Sequence, residues 1–279
     1  MQNKDYPYYP SKLIKKINKT LKSGKVNYWT GNEGVLFEKE FSKYIGNKYS
    51  VAVSNGSVAL EIALKALNFK KNDHIIVSPR SFIISASCVI NVGLKPIFAD
   101  VDINGNLSFD GINKSYTKNV KGIILVHLNG FPCDMDPIIN FAKKNKIKLI
   151  EDCSQAHGAK YKNKAVGSFG DISTWSFCQD KIISTGGEGG MISTNNKDVW
   201  EKCWSLKDHG KNYFSVFQKK HKFGFKWLHD NFGSNQRMTE IQSVIGRFQL
   251  KKLDSQIKKR NQIAYKVINS LKVFWEKYK

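Results

Sequence analysis

The chain has 279 residues, enough to bury a sizeable core, and its hydrophobic fraction of 41% is that of a folded protein rather than a disordered one. Its formal net charge is +22 at pH 7, but only four of its 45 basic residues are arginines, which leaves 41 lysines spread over the chain. Nucleic-acid recognition usually relies on arginine forks or a clustered basic stripe, so the charge favours a lysine-rich surface over a nucleic-acid partner.

Membrane, secretory and metal-binding classes are disfavoured on similar grounds. The longest apolar stretch, SFIISASCVINVGL at 81–94, is too short and too polar to span a bilayer. The first residues, MQNKDYPYYPSK, lack the apolar segment of a secretory signal. Five widely spaced cysteines without a C-x-x-C pair favour neither a zinc site nor a disulfide framework. We therefore expect a cytoplasmic protein with no membrane partner and no metal site.

The predicted elements begin with two helices and continue as an alternation of strands and helices. Ser11, after Pro10, is expected to cap a helix over 11–23, and a second helix is expected at about 35–44. Strands are predicted at 49–54, 74–78, 95–101, 122–128, 147–152, 172–177 and 189–194, and helices between them at 57–67, 82–91 and 137–145. This alternation is typical of an α/β fold with a mostly parallel sheet covered by helices on both faces.

The last predicted element is one long helix. MTEIQSVIGRFQLKKLD at 238–254 has capping-box spacing at Thr239 and Gln242 and a single apolar stripe. The helical pattern continues toward residue 279. No repeat, low-complexity segment or linker divides the preceding residues, so one large domain is expected.

Two motifs fall at predicted strand ends, where open α/β sheets bind ligands. SNGS at 54–57 joins a strand to a helix, so its glycine and the first helical amides can hold an anion such as phosphate, or form an ordinary turn. EDCSQAHGA at 151–159 delivers Glu151 and Asp152 to a strand end. A carboxylate there can bind a metal, act as a base, pair with a cationic cofactor nitrogen, or cap the next segment.

A third motif, SFCQDKIISTGGEGG at 176–190, places Lys181 before four glycines in five positions. TGGEGG lacks the Gly-Lys-Ser/Thr of a phosphate-binding P-loop, and a strand rather than a helix follows it, so it is not a dinucleotide-binding loop either. Three interpretations of Lys181 remain open at this point: an amine nucleophile, a phosphate ligand, or one of many surface lysines.

Taken together, these motifs resemble the DegT/DnrJ/EryC1/StrS family of sugar aminotransferases, which are pyridoxal phosphate (PLP) enzymes of fold type I. The resemblance covers nearly the whole chain. It is carried by the blocks NYWTGNEGVLFEKEF, VAVSNGSVALEIALKAL, IIVSPRSFIISAS, PIFADVD, VHLNGFPCDMDPI, EDCSQAHGA, GSFGDISTWSF, DKIISTGGEGG and FGSNQRMTEIQSVIG, in the family's order.

The resemblance implies which residues surround the cofactor ring. Lys181 falls at the family's Schiff-base lysine, and Asp152 at the acid that pairs with the pyridine nitrogen; these two are the expected catalytic residues. Phe82 corresponds to the aromatic residue that stacks on the ring. Gln155 corresponds to a polar residue near the ring hydroxyl.

The resemblance also implies a phosphate pocket and a dimer. Gly56, Ser57 and Ser176 match the residues that hold the cofactor phosphate. Asn235 matches an asparagine that reaches the partner's cofactor phosphate across a dimer interface. A homodimer with shared active sites is therefore expected.

The implied reaction is a two-step amino transfer. An amino acid, usually glutamate in this family, gives its amino group to the cofactor while Lys181 moves the proton. The group then passes to a keto sugar carried on a nucleotide, and the product feeds surface polysaccharides such as O-antigen or capsule. Related dehydratases have histidine in place of the lysine, so Lys181 argues against that reaction. Cys178 stands where many members have histidine or asparagine, so the sugar-facing side of the pocket is expected to differ.

Family members usually continue for about another hundred residues, the size of a small C-terminal domain. The resemblance therefore implies a PLP-binding large domain with an N-terminal helical segment over 1–250. Residues 251–279 are expected to form a linking helix and the start of a truncated small domain. The alternative is a catalytically impaired, truncated paralogue that acts as a regulatory or partner subunit.

Overall fold

The computed structural model describes residues 6–277 of the chain. The helices are Ser11–Lys22 (α1), Glu33–Ile45 (α2), Gly56–Ala66 (α3), Ile84–Asn91 (α4), Phe109–Ser115 (α5), Met135–Asn145 (α6), Lys197–Lys207 (α7), Tyr213–Phe217 (α8), Glu240–Leu250 (α9) and Leu253–Lys277 (α10). The strands are Tyr49–Val53 (β1), His74–Val77 (β2), Lys95–Phe98 (β3), Val120–Val126 (β4), Lys148–Asp152 (β5), Lys160–Tyr161 (β6), Lys164–Ala165 (β7), Ile172–Ser176 (β8) and Gly190–Thr194 (β9).

Seven strands form one sheet in the order β1-β9-β8-β5-β4-β2-β3, and β6 and β7 form a separate hairpin. The pairs from β8 to β3 are parallel, whereas β9 runs antiparallel to both β8 and β1. The predicted mostly parallel sheet is confirmed. The direction of β9 was not predictable from its pattern, because a strand buried on both faces has the same apolar composition in either direction.

Side-chain alternation along the strands builds a core on each face of the sheet. On β1, Val51 and Val53 pack into one core together with residues of α3, α4 and α7. Ala52, between them, points to the opposite face and packs with residues of α2. Residues of α5 and α6 cover the other half of that second face. Helices therefore cover both faces, as the α/β prediction required.

The predicted starts of α2, α3, α4 and α6 differ from the observed ones by one or two residues, and the predicted cap of α1 was wrong. Ser11 is the first residue of α1, and Pro10 occupies the cap position without a side-chain hydrogen bond. At α3 the cap is Asn55, whose Oδ1 accepts from the Val58 amide at 2.9 Å, so the helix starts at Gly56 instead of Ser57. An asparagine in extended backbone is as good a cap as serine, and composition does not rank the two. The helix expected at 82 starts at Ile84.

The predicted long C-terminal helix is two helices. Its capping box is confirmed, since the Gln242 amide donates to Thr239 Oγ1 at 3.3 Å and the Thr239 amide donates to Gln242 Oε1 at 2.9 Å. A turn at Lys251 separates α9 from α10. The apolar stripe continues across this turn, so periodicity alone does not register the break. Over residues 6–277 no helix is both long and apolar enough to cross a membrane.

A buried ion pair joins four segments of the chain. Lys207 of α7 is fully buried, and its Nζ lies 3.1 Å from Glu38 Oε1 of α2 and 3.6 Å from the centre of the Tyr28 ring. Glu38 Oε1 also accepts from the Ala52 amide of β1 at 2.9 Å. Burial lowers the pKa of Lys207, and the neighbouring Glu38 charge opposes that shift. The pair connects both faces of the β1 edge of the sheet.

We expect Lys207→Met to destabilise the fold by about 3–5 kcal/mol, because it leaves the Glu38 carboxylate buried without a cation. Urea unfolding measures the loss. Lys197→Met, on the exposed side of the same helix, is the matched control and should change stability by less than about 0.5 kcal/mol. The double variant Glu38→Gln/Lys207→Met should recover part of the loss; a double-variant loss equal to the sum of the two single-variant losses would show that the two charges do not interact.

Candidate active site

A cavity of about 880 Å³ opens at the carboxyl ends of β5 and β8, beside the first turn of α3. The structure brings six of the eight predicted site residues to its walls: Gly56, Ser57, Phe82, Gln155, Ser176 and Lys181. A seventh, Asp152, is buried at the end of β5, two residues before the cavity-lining Ser154. Asn235 does not line the cavity of its own chain.

The first turn of α3 forms an anion-binding surface against β8. A Cβ on Gly56 would lie 2.7 Å from Ser176 Cβ, and one on Gly190 would lie 2.4 Å from the Asn55 carbonyl oxygen, so both glycines are required by close approach. Ser176 Oγ accepts from the Cys178 amide at 3.3 Å, which leaves its proton free to donate. Helix-start amides and a hydroxyl donor thus face one small space.

Lys181 lines the cavity, and its amine makes a weak ion pair. Its Nζ lies 3.0 Å from Asp180 Oδ2, but the Asp180 side chain is 70% exposed, so the ion pair is weak. The hydrogen bond with Lys181 lowers the pKa of Asp180. The Tyr6 hydroxyl donates to the backbone carbonyls of Lys181 and, at 3.1 Å, of Ile182. The backbone of the lysine is therefore held more firmly than its amine.

Strand alternation sends the two acids at the end of β5 to opposite faces. Asp152 lies beside the cavity-lining Ser154, whose amide donates to its Oδ1 at 3.1 Å. Burial raises the pKa of Asp152, while the Ser154 hydrogen bonds and the charge of Lys181 act in the other direction. A carboxylate at this strand end can accept a hydrogen bond from a cationic ring nitrogen in addition to those from Ser154.

Glu151 instead has a structural role, because its carboxylate is fully engaged in hydrogen bonds within the fold. Its carboxylate accepts from the amides of Gly167, Phe169 and Gly170 at 2.6–2.8 Å and from His127 Nε2 at 3.1 Å. Burial would raise the pKa of Glu151, but the bond with His127 and the backbone amides outweigh it and hold the pKa below its usual range. Glu151 therefore anchors the 167–170 loop to the end of β5 by hydrogen bonds.

A metal interpretation of this region does not fit the donor atoms. His127, Glu151 and Cys153 offer ligand atoms within 4.8 Å of one another. However, His127 Nδ1 accepts from the Cys133 amide at 3.1 Å, and its other nitrogen faces Glu151. Burial raises the pKa of the Cys153 thiol well above its usual range, so it stays protonated. The cluster is a hydrogen-bonded network of the fold.

We expect Glu151→Gln to lose about 1–3 kcal/mol of stability at pH 7, because its NH2 group opposes backbone N–H donors. Folding lowers the pKa of Glu151, so its contribution is present above the unfolded value of about 4.3 and is lost as the pH falls through the lower folded value. Urea unfolding at pH 7 and under acidic conditions should show the deficit shrinking in acid. Glu201→Gln, at a partly exposed acid of α7 that pairs with Lys197, is the control; a pH-independent deficit would contradict the assignment.

Sequence reasoning missed several groups around the cavity. Ser154 and Glu188 line it, and Tyr6 contacts the lysine segment from 175 residues away. Glu188 could have been identified from the sequence, since it is the one side chain within a run of glycines. The contact of Tyr6 could not, because a contact between residues so far apart leaves no local sequence pattern. His157 packs against the ring of Phe177 and lines a neighbouring cavity, and burial lowers its pKa to about 3, so its imidazole is neutral.

Asn235 lies on the surface, outside the cavity of its own chain. The segment before it carries aromatic side chains that are 82–110% exposed: Phe223, Phe225, Trp227 and Phe232. Exposed clusters of large apolar side chains usually mark interaction surfaces.

Comparison with known proteins locates the chain among amino-sugar enzymes. A profile of the DegT/DnrJ/EryC1/StrS aminotransferase family matches residues 8–276. GDP-perosamine synthase of Escherichia coli O157:H7 is 38% identical over 272 residues, which cover 95% of this chain and 72% of that protein. An aminotransferase of Psychrobacter cryohalolentis is 49% identical with a TM-score of 0.87, covering 89% of this chain and 63% of its own.

A third relative carries the cofactor in its crystal structure. The GDP-4-keto-6-deoxy-D-mannose-3-dehydratase of E. coli, solved with bound hydrated PLP, is 30% identical with a TM-score of 0.87. The match covers 96% of this chain and 73% of that structure. Across these three relatives, the chain spans about two thirds to three quarters of their length.

Proposed function

Because the chain belongs to the DegT/DnrJ/EryC1/StrS aminotransferase family, whose enzymes depend on PLP, we propose that it moves an amino group from an amino acid, expected to be glutamate, to a nucleotide-activated keto sugar. The expected fold type I architecture is confirmed by the solved relatives. The observation that carries the proposal is the cavity lined by Lys181 and by the anion-binding start of α3, with the buried carboxylate of Asp152 beside the cavity-lining Ser154.

The residues present fit PLP. Gly56, Ser57 and Ser176 offer amide and hydroxyl donors for its phosphate without a cation. The Asp152 carboxylate can accept from the protonated ring nitrogen, and a carboxylate there favours the charged ring. Phe82 is 70% exposed on the cavity wall and has a free face for stacking. Bound in this site, PLP supplies an electron sink for the carbanion formed during amino transfer.

Gln155 has its orientation set by the backbone. Its Oε1 accepts from the Asn129 amide at 2.7 Å, so its NH2 group is the end left to donate toward a ring hydroxyl. We assign it that role.

Lys181 performs the proton transfers in this proposal. With PLP and the donor bound, its amine would take the proton from the donor's α-carbon and deliver it to the carbon on the other side of the transferred nitrogen. The weak pair with exposed Asp180 leaves the amine free to move. A lysine at this position is what the aminotransferase reaction requires, whereas the dehydratase pattern has histidine.

We expect the purified protein to develop a visible absorption band with PLP, and glutamate to bleach it. Lys181→Ala should lack the band, because the covalent attachment point is gone. Lys148→Ala removes an exposed lysine paired with Asp171 and is the matched control that should keep the band. A band that persists in Lys181→Ala would overturn the lysine assignment, and a band that no amino donor bleaches would overturn the aminotransferase proposal.

We further propose a homodimer in which Asn235 completes the partner's phosphate site. Asn235 is exposed and outside its own cavity, and the aromatic side chains at 223–232 give the neighbouring surface an apolar character that a second copy would cover. The location we propose is the cytoplasm, since all five cysteines are free thiols that suit a reducing compartment. The product would enter surface polysaccharide synthesis, with a GDP-linked keto sugar as the first acceptor to test.

Co-expression tests the shared site without needing the sugar. Asn235→Ala alone should weaken PLP binding about tenfold, because one phosphate contact is lost, and Lys181→Ala alone should show no band. In a mixed dimer the Lys181 of one chain receives the intact Asn235 of the other, so about a quarter of all sites should regain tight binding after random pairing. No recovery on co-expression, or wild-type binding by Asn235→Ala alone, would contradict the shared site.

A further inference from the structure

One carboxylate in the cavity wall has no part in the reaction described so far. Glu188 is the one side chain within the run 186–190 and lines the cavity. The two glycines before it have φ of 92° and 125°, which disfavour any side chain. A Cβ on Gly189 would lie 2.0 Å from a threonine oxygen, and one on Gly190 2.4 Å from a backbone oxygen. The run 186–190 therefore requires glycine at every position except that of Glu188.

The backbone of Glu188 is anchored from two directions. Its carbonyl oxygen accepts from Thr185 Oγ1 at 2.6 Å and from Gln242 Nε2 at 2.7 Å. Gln242 is itself held in the capping box of α9. A residue whose main chain is held in this way presents its side chain at a defined place on the cavity rim.

The carboxylate of Glu188 is free to accept hydrogen bonds. Its contact with a protein donor is to Cys178 Sγ, 3.7 Å from Oε1, and a thiol is a weak donor. Burial and the charge of Glu188 raise the pKa of Cys178, so the thiol remains neutral. Within the described part of the chain no cation pairs with Glu188, in contrast to Asp180, which pairs with Lys181.

We propose that Glu188 accepts a hydrogen bond from a hydroxyl of the acceptor sugar and so selects this substrate in the second half of the reaction. This inference rests on the proposed function. A carboxylate repels the two carboxylates of a glutamate donor and the phosphates of the nucleotide, whereas sugar hydroxyls are neutral donors. Hydrogen bonds to a charged acceptor are about twice as strong as neutral ones, so one such contact is enough to discriminate.

The two half-reactions can be measured separately on the PLP-loaded protein. Glutamate bleaches the band in the first, and GDP-4-keto-6-deoxymannose restores it in the second. For Glu188→Ala we expect the glutamate step to stay within about twofold and the sugar step to slow about 10- to 100-fold, with Glu188→Gln between Ala and wild type. Glu201→Ala, at a partly exposed acid of α7 outside the cavity, is the matched control and should leave both steps unchanged.

The remaining outcomes distinguish a failure of the Glu188 role from a failure of the proposed function. An unchanged sugar step in Glu188→Ala, or an equal slowing of both steps in a variant with wild-type thermal unfolding, would overturn the role of Glu188. Should Ala unfold, Glu188→Gln, which keeps the shape of the side chain, decides by the same comparison. A wild-type protein that glutamate does not bleach would overturn the proposed function; bleaching without any response to the sugar nucleotide would overturn the acceptor and this inference while leaving PLP chemistry in place.

Discussion

The site depends on the close approach of the start of α3 to the last residue of β8 and the first residue of β9. Gly56 lies against Ser176, and Gly190 lies against the Asn55 carbonyl, at distances that exclude a Cβ on either glycine. This contact brings the helix-start amides beside the Ser176 hydroxyl and sets one wall of the cavity. It also fixes where β8 ends, and therefore where the chain carrying Lys181 leaves the sheet.

Neighbouring groups, more than residue type, decide what the acids of this protein do. Glu151 and Asp152 are adjacent and both buried, yet three backbone amides and His127 stabilise the charge of Glu151, whereas burial dominates at Asp152. The first acid holds the 167–170 loop, and the second lies beside the cavity, next to Ser154. The same distinction separates Asp180, which has a cation, from Glu188, which has none.

The cavity differs in charge from the chain as a whole. The chain carries +22, but Lys181 is the one cation among the described residues that line the cavity, where Asp180 and Glu188 also lie and Asp152 is close by. An anionic phosphate would therefore be bound by amides and hydroxyls at a helix start. The helix start supplies partial positive charge without a lysine. The excess of lysines belongs to the surface and says little about the chemistry.

The sequence by itself determined the α/β class, the seven strands of the main sheet, the capping box at Thr239 and the motifs that hold seven site residues, because these depend on periodicity and on spacing along the chain. Only the tertiary structure decided the antiparallel placement of β9, the separation of Glu151 from Asp152, the surface position of Asn235, and the contact of Tyr6 with the backbone of Lys181. Those features depend on which distant segments meet, and a local pattern carries no record of its partner across the fold.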